Sequence, residues 1–290
     1  DRITDAIKSG RIRVLPESRA NEILSFVNSG LEDVSISRPA KDISWGVPVP
    51  DSSGQTIYVW FEALTSYLSS VGYGHENSES RTSFEKWWPA DIQIIGKDNL
   101  RFHAAIWPGM LFSAGLEPPR SIFVHGFVNV EGQKISKTVG NVISPEEVVQ
   151  KYGVDPVRYY FLREFPSHED GDFSYKKFED RYNGDLANGL GNLVARVAVP
   201  GEKLSPLKFD FKKDIEREVD EVCDGVFKKY EKYLEEVRLN EALASIWEII
   251  SFADRYINKN KPWQLEGEEL KRIILNSSYL ISAVTNLLEP

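Results

Sequence analysis

The sequence predicts a chain with an α/β part that contains a parallel sheet, followed by an all-α part. Two observations predict this order. Up to about residue 180, short apolar strands alternate with helical patterns, and the order strand–helix–strand is the signature of a parallel α/β sheet. From about Arg181 onward, apolar residues recur only at helical spacing, which is typical of a helix bundle.

The first elements are predicted from composition and periodicity. Residues 1 to about 45 contain helical patterns, and Ile23 and Val27 belong to the clearest of them. The β-branched and aromatic run from Thr56 to Phe61 predicts a strand, and the polar residues 74–83 predict a loop. The parallel sheet is predicted from a short strand, a helix and a second strand, at 93–95, 100–115 and 121–124.

Helix-start signals mark the change to all-α structure. Ser144 and Glu147 form a capping-box pattern, and Pro145 stands at the first helical position. Asp155-Pro156 predicts the start of the next helix in the same way. Three apolar stripes then follow, with members that include Val219, Ile246 and Ile273. Each stripe predicts one helix that packs in a bundle.

Composition excludes several classes of protein. The 290 residues are 41% apolar and 27% charged, which is ordinary for globular domains and excludes disordered, collagen-like and low-complexity chains. The absence of a long apolar run predicts no membrane span. The single cysteine, Cys223, excludes an intrachain disulfide and a cysteine-based zinc site, and it fits a cytoplasmic setting. The spacing of the four histidines predicts no metal site.

Both ends of the sequence predict an internal piece of a longer polypeptide. The first residue is Asp1 rather than methionine, and the last residues continue an apolar helical pattern. The alternative is a natural chain from which the initiator methionine was removed.

A lysine-bearing loop is the first candidate site. In the segment GQKISKTVGN at 132–141, Lys134 and Lys137 flank Ser136, between two glycines. Lysine supplies a compact positive charge, which can stabilise a pyrophosphate group as its charge develops. The alternative interpretation is an exposed turn that happens to carry lysines.

Two more segments carry candidate binding residues. GKDNLRFH at 96–103 follows a strand and opens a helix, so Gly96 and Asp98 suit a ribose-bearing or anionic ligand. His103 lies further along the same helix, although a core histidine is the alternative. Trp60, Ala63, Leu64 and Tyr67 share one side of a strand-to-helix transition and form a candidate apolar pocket, or else part of the core.

Together these segments resemble the methionyl-tRNA synthetases, a family of class I aminoacyl-tRNA synthetases. KISKT at 134–138 is similar to the family's KMSKS loop. YVWFEALTSY at 58–67 and GKDNLRFHAAIWPGML at 96–111 are similar to its methionine-pocket segments. NLVAR at 192–196 and NKPW at 260–263 are similar to its anticodon-reading segments. The resemblance covers essentially the whole chain, with Leu64 and Asn99 as departures from the common pattern.

The resemblance implies a domain organisation. Residues 1–45 are expected to be the end of a connective insertion, and residues 46–180 the second half of a Rossmann-like catalytic domain with its KMSKS-like loop. Residues 181–290 are expected to be a truncated helical bundle that binds the anticodon. The family's HIGH motif and the zinc-bearing part of its insertion are absent from this sequence. The chain is therefore expected to be inactive alone.

The resemblance also implies an activity: ATP-dependent activation of methionine to methionyl-adenylate and transfer to tRNA(Met). The implied partners are methionine, tRNA(Met), ATP with Mg²⁺ as substrate, and a missing N-terminal half of the same enzyme. The implied catalytic residues are Lys134 and Lys137. The implied binding residues are Gly96, Asp98, Lys134, Ser136 and Lys137 for ATP, Trp60, Ala63, Leu64, Tyr67, Asn99 and His103 for methionine, and Asn192, Arg196 and Trp263 for the anticodon.

Two alternatives stay open at this point. A non-catalytic tRNA-binding module built on the same fold would also lack half of the active site. A synthetase for another amino acid, such as leucine, would share the lysine loop, but the two pocket segments count against it.

Overall fold

A computed structural model describes residues 1–43, 45–75, 77–135, 140–204 and 214–289. Contacts divide the chain into two compact units, Asp1–His125 and the residues from Gly126 onward. The first unit contains α1 (Arg2–Lys8), β1 (Arg13–Leu15), α2 (Glu17–Asn28), β2 (Ser37–Pro39), β3 (Gln55–Ile57), α3 (Val59–Ser69), α4 (Ser78–Trp87), β4 (Gln93–Gly96), a 3₁₀ turn (Lys97–Asn99), a π-helical turn (Phe102–Ile106), α5 (Trp107–Ser113) and β5 (Ser121–His125).

A parallel sheet forms the centre of the first unit, with the strand order β1–β5–β4. Gly96 at the end of β4 lies opposite His125 at the end of β5, and the intervening helical segment completes the predicted strand–helix–strand order. Ile95 and Val124 are buried on the sheet, while Ile94 points the other way and is 65% exposed. No strand in the described part of the chain pairs with the outer side of β4.

Two sequence predictions in this unit are wrong in part. The strand predicted over Thr56 to Phe61 ends at Ile57, because α3 begins at Val59. Leu64 and Leu68 recur at helical spacing and bury that helix against Trp107, so packing overrides the strand preference of the β-branched run. The loop predicted over 74–83 ends early, because the Asn77 side chain accepts a hydrogen bond from the Ser80 amide (2.7 Å) and caps α4.

The second unit begins with a small sheet and continues into helices. It contains β6 (Val128–Val130), β7 (Gln133–Lys134), α6 (Pro145–Tyr152), α7 (Val154–Glu164), β8 (Gly171–Phe173), α8 (Tyr175–Arg181), a π-helical stretch (Tyr182–Gly191), α9 (Asn192–Gly201), α10 (Arg217–Glu235), α11 (Leu239–Asn260), a 3₁₀ turn (Pro262–Gln264) and α12 (Gly267–Leu288). The predicted capping of α6 is present, since Ser144 accepts from the Glu147 amide (3.4 Å).

Helices α9 to α12 share one apolar core. Leu193, Ile246 and Leu280 are fully buried in it, and each comes from a different helix. Buried polar side chains lie in the same interior, and the largest of them is Asn276 of α12, which has no exposed surface. Its amide nitrogen donates to the Arg272 carbonyl oxygen (2.9 Å), and its oxygen accepts from the Glu216 amide (2.8 Å). Asn276 therefore ties the start of α10 to the middle of α12.

Replacing Asn276 with leucine should lower the free energy of unfolding by about 1–3 kcal/mol, because the part-buried Glu216 amide loses its acceptor. The measurement is the midpoint of urea denaturation, followed by circular dichroism on the polypeptide at its natural length. Asn286→Leu is the matched control, since Asn286 is exposed on the same helix. Equal midpoints for the two variants would show that the Asn276 contacts contribute nothing.

Candidate functional site

A chain of three polar groups links α3 to the segment after β4. The Tyr67 hydroxyl lies 3.0 Å from Nε2 of His103, and Nδ1 of the same ring lies 3.0 Å from the Asn99 carbonyl oxygen. His103 is buried, whereas Tyr67 is 37% exposed. The structure thus brings together three of the predicted pocket residues, and Asn99 takes part through its backbone rather than its side chain.

The hydrogen bonds fix the protonation of the His103 ring. A carbonyl oxygen only accepts, so Nδ1 carries the proton and donates to Asn99. Burial lowers the pKa of His103, which keeps the ring singly protonated at neutral pH. Nε2 is then an acceptor, and the Tyr67 hydroxyl donates to it. Burial also raises the pKa of Tyr67, so the phenol keeps its proton.

Aromatic rings form a wall beside this chain of groups. The ring of Trp60 stacks on Phe102, with centroids 3.8 Å apart and planes 11° from parallel. His103 meets the Trp60 ring edge-on at 6.2 Å, and Trp107 lies 6.2 Å from the Tyr67 ring. Phe102 and Trp107 were not predicted from the sequence, although both lie in the segment that carries His103. The π-helical turn at Phe102–Ile106 determines the side on which each of these rings emerges.

The remaining predicted pocket residues lie on the same helix but differ in exposure. Leu64 is 1% exposed and packs with Leu68, Trp88 and Leu111, which makes it a core residue beneath the aromatic wall. Ala63 is exposed. Leu64 is therefore buried in this structure, and its predicted contact with methionine stays a prediction.

Gly96 and Asp98 lie at the carboxyl end of β4, where the chain enters the 3₁₀ turn. Asp98 is exposed. A Cβ atom added at Gly96 would lie 3.7 Å from Cε1 of His125, which is ordinary contact. The carboxyl end of a parallel strand that leads into helical backbone is a common position for nucleotide-binding groups.

The predicted lysine loop starts from a two-residue hairpin in the second unit. β6 and β7 pair antiparallel, and Lys134 is the last residue of β7. Ser136 and Lys137, the other predicted residues of this loop, lie outside the described residues.

A second cluster of predicted residues gathers at α9 and α11. Arg196 contacts Asp254 (Nη1–Oδ1, 3.2 Å) and Asn258 (Nη2–Oδ1, 2.5 Å). Its guanidinium carbon lies 5.5 Å from the ring centroid of Trp263, which is 49% exposed on a 3₁₀ turn. Asn192 is exposed one helical turn before Arg196. This cluster offers an aromatic face and fixed donors, which is how unpaired RNA bases are usually bound.

The backbone around Lys261 presents the tryptophan. Lys261 has a left-handed conformation (φ 47°) that ends α11, and the buried Pro262 follows it. The Asn260 side chain donates to the Tyr256 carbonyl oxygen (2.9 Å) and closes the last turn of α11. Trp263 therefore stands on a rigid corner.

Other kinds of site have no support in the described part of the chain. No group of three or more His, Cys, Asp or Glu side chains there could hold a metal ion. None of the helices that the structure describes is long and apolar enough to cross a membrane. Burial raises the pKa of the Cys223 thiol to about 12, so this cysteine is unreactive.

Comparison with known proteins gives one family. The family model described as tRNA synthetases class I (M) matches residues 1–198. Methionine–tRNA ligase of Caldanaerobacter subterraneus subsp. tengcongensis is 42% identical over 263 residues, which cover 89% of this chain and 40% of that protein. The ligase of Listeria monocytogenes serovar 1/2a is 38% identical and covers 100% of this chain and 43% of its own length. The chain thus spans about two fifths of the length of these curated relatives.

Solved structures agree with the sequence relatives. Methionyl-tRNA synthetase of Mycobacterium tuberculosis in complex with methionyl-adenylate superimposes with a TM-score of 0.90 at 36% identity. The match covers 100% of this chain and 58% of that one. The free state of the same synthetase gives a TM-score of 0.85 at 35% identity.

Proposed function

The chain belongs to the class I tRNA synthetases of the methionine type, and from this premise we propose that it is part of a methionine–tRNA ligase. The proposed reaction is activation of methionine by ATP, followed by transfer of the methionyl group to tRNA(Met). The observation that carries the proposal is the Tyr67–His103–Asn99 chain of hydrogen bonds beside the Trp60–Phe102 stack, within a chain of this family.

We assign the finer architecture on the same basis. Strands β4 and β5 and the β6–β8 region belong to the second half of a Rossmann-like catalytic domain over residues 46–180. Strand β1, in the preceding segment, pairs with β5 and so joins this sheet. Residues 181–290 form a truncated anticodon-binding bundle, and residues 1–45 end a connective insertion. The first half of the nucleotide fold, with its HIGH motif, belongs to a part of the enzyme outside this sequence.

The aromatic wall is proposed to hold the methionine side chain. A thioether is polarizable and is only a weak hydrogen-bond acceptor, so apolar contact with Trp60 and Phe102 supplies most of the binding. Because neutral His103 has no proton on Nε2, it cannot donate to the sulfur. Tyr67 carries the one proton at that point. In this structure the proton goes to Nε2 of His103, so the hydroxyl must turn from His103 to the sulfur when methionine binds.

Replacing Tyr67 with phenylalanine should raise the KM for methionine about 2- to 10-fold with little change in kcat, since one hydrogen bond is lost. The same change should reduce the preference for methionine over norleucine, in which a methylene replaces the sulfur. Steady-state ATP–pyrophosphate exchange on the natural-length polypeptide measures both.

Tyr73→Phe is the control for this experiment. Tyr73 is a partly exposed tyrosine of the same unit, and its ring packs on Phe84 at 5.0 Å, away from the proposed pocket. An unchanged ratio of methionine to norleucine in Tyr67→Phe would show that the hydroxyl does not read the sulfur.

The proposed activation step is a phosphoryl substitution. A carboxylate oxygen of methionine forms a bond to the α-phosphorus of ATP, and the bond from that phosphorus to the bridging oxygen breaks, which releases pyrophosphate. ATP with Mg²⁺ is the substrate. We assign Gly96 and Asp98 to the ribose of ATP. Lys134, Ser136 and Lys137 are assigned to its phosphates. The two lysines offset the negative charge that develops on the departing pyrophosphate.

The second cluster is proposed to bind tRNA(Met). Trp263 stacks on an unpaired anticodon base. Arg196 is held by Asp254 and Asn258, and it keeps further N–H groups for base edges, as Asn192 does.

The test of the proposed function is methionine-dependent ATP–pyrophosphate exchange by the polypeptide at its natural length, with leucine as the control amino acid. We expect exchange with methionine only. Exchange with leucine would assign a different amino acid. No exchange, together with retained tRNA binding, would instead identify a non-catalytic tRNA-binding module.

A further inference from the structure

The turn of the β6–β7 hairpin, which leads into the lysine loop, is hydrogen-bonded to a strand outside that hairpin. The hairpin turns at Glu131 and Gly132, which both have positive φ angles (50° and 76°), as a tight two-residue hairpin requires. Neither turn amide bonds within the hairpin ladder, in which Val130 pairs with Gln133. Lys134 follows two residues after the turn.

Strand β8 supplies an acceptor for each of these amides. It runs parallel to β6, with Asn129 opposite Asp172. The Glu131 amide donates to the Phe173 carbonyl oxygen (3.1 Å), and the Gly132 amide donates to Oδ1 of Asp172 (2.6 Å). The second bond is made to a charged side chain, which makes it the stronger kind.

β8 itself is fixed in place. A Cβ atom at Gly171 would lie 1.7 Å from Cδ1 of Phe165, so only glycine fits between this ring and the strand. Phe173 is 2% exposed and belongs to the core of this region. The strand that holds the turn is therefore anchored in packed structure rather than in a loop.

Asp172 also has a second partner. Nζ of Lys177 lies 3.2 Å from Oδ2 of Asp172 and 3.3 Å from its carbonyl oxygen. The Gly132 amide is the main cause of the lowered pKa of Asp172, and Lys177 adds to it. Oδ1 of Asp172 thus accepts a hydrogen bond from the turn, and Oδ2 contacts Lys177 of α8.

We propose that Asp172 is a positioning residue for the β6–β7 turn, acting through the Gly132 amide to fix the direction in which the backbone enters Lys134. This inference rests on the proposed function of the KISKT segment in ATP-dependent methionine activation. Misplacement of catalytic groups by a change outside the reacting centre lowers rates steeply, so a residue that does not touch substrate can still limit the reaction.

Three variants of the natural-length polypeptide separate the two bonds of Asp172. Asp172→Ala removes both, and Asp172→Asn keeps an acceptor oxygen for Gly132. Lys177→Met removes the contacts of Lys177 with the carboxylate and carbonyl oxygens of Asp172 and leaves the Gly132 bond in place. In ATP–pyrophosphate exchange, Asp172→Ala should lower kcat/KM for ATP roughly 10- to 100-fold and leave the KM for methionine unchanged. Asp172→Asn should recover most of that loss, and Lys177→Met should match the parent.

Hydrogen exchange of the Gly132 amide gives a readout that needs no catalysis. Asp172→Ala should accelerate it at least about tenfold, and Lys177→Met should not. Unchanged exchange in Asp172→Ala would overturn the proposal, as would a Lys177→Met variant that is as impaired as Asp172→Ala. If the parent shows no methionine-dependent activity, the proposed function fails, and amide exchange still decides whether Asp172 holds the turn.

Discussion

Lys137→Ala should lower kcat for methionine activation about 100- to 1,000-fold, the usual effect of removing one group that stabilises developing charge. The KM for methionine should change little, because the lysine is assigned to the departing phosphates. The prediction comes from the KISKT segment, in which Lys137 is the second lysine. Pre-steady-state formation of methionyl-adenylate by the natural-length polypeptide measures it.

Lys232→Ala is the control for charge alone, since Lys232 is exposed on α10 and has no proposed role. A Lys137→Ala variant that loses methionine affinity and kcat by equal factors would count against a leaving-group role. It would indicate that the lysine organises the whole site instead.

Trp263→Ala should raise the KM for tRNA about 10- to 100-fold, since stacking of a base on an aromatic ring is worth ~1–3 kcal/mol. Methionine-dependent ATP–pyrophosphate exchange should be unaffected, because adenylate formation needs no tRNA. The ring is half-exposed and is held on a rigid corner beside Arg196, which is the state expected of a binding surface.

The matched control is Trp87→Ala, which removes an exposed tryptophan of α4 that has no proposed role. Aminoacylation at varied tRNA concentration measures the effect on tRNA, and exchange without tRNA measures the effect on adenylate formation. Equal losses in both assays would show that Trp263 is a structural residue.

Much of the fold could be predicted from the sequence where a single period dominates. The helical core around Ile246 and Leu280 follows from repeated apolar spacing, and the parallel pair of β4 and β5 follows from two short apolar runs around a helix. The segment from Val59 was mispredicted because its β-branched and aromatic residues favour a strand locally. Only contacts with Trp107, far along the sequence, show that it is helical.

The candidate site was predicted in its residue types but not in its connections. Tyr67 and His103 could be chosen as pocket residues, yet the direction of their hydrogen bond depends on the Asn99 carbonyl oxygen, which no side-chain pattern reports. Phe102 was missed because a π-helical turn changes which residues of the segment share a face. The role proposed for Asp172 depends on a parallel strand pairing that has no local signal in the sequence.

In the part of the chain that the structure describes, no strand pairs with the outer side of β4, and this open edge has a practical consequence for work on this 290-residue chain by itself. An unpaired strand edge offers a row of backbone donors and acceptors to any other extended segment, and Ile94, 65% exposed, adds an apolar surface next to it. We expect two copies of the isolated chain to associate by pairing of their β4 edges as the protein concentration rises. Solubility, rather than thermal stability, then sets the conditions under which the isolated chain can be studied.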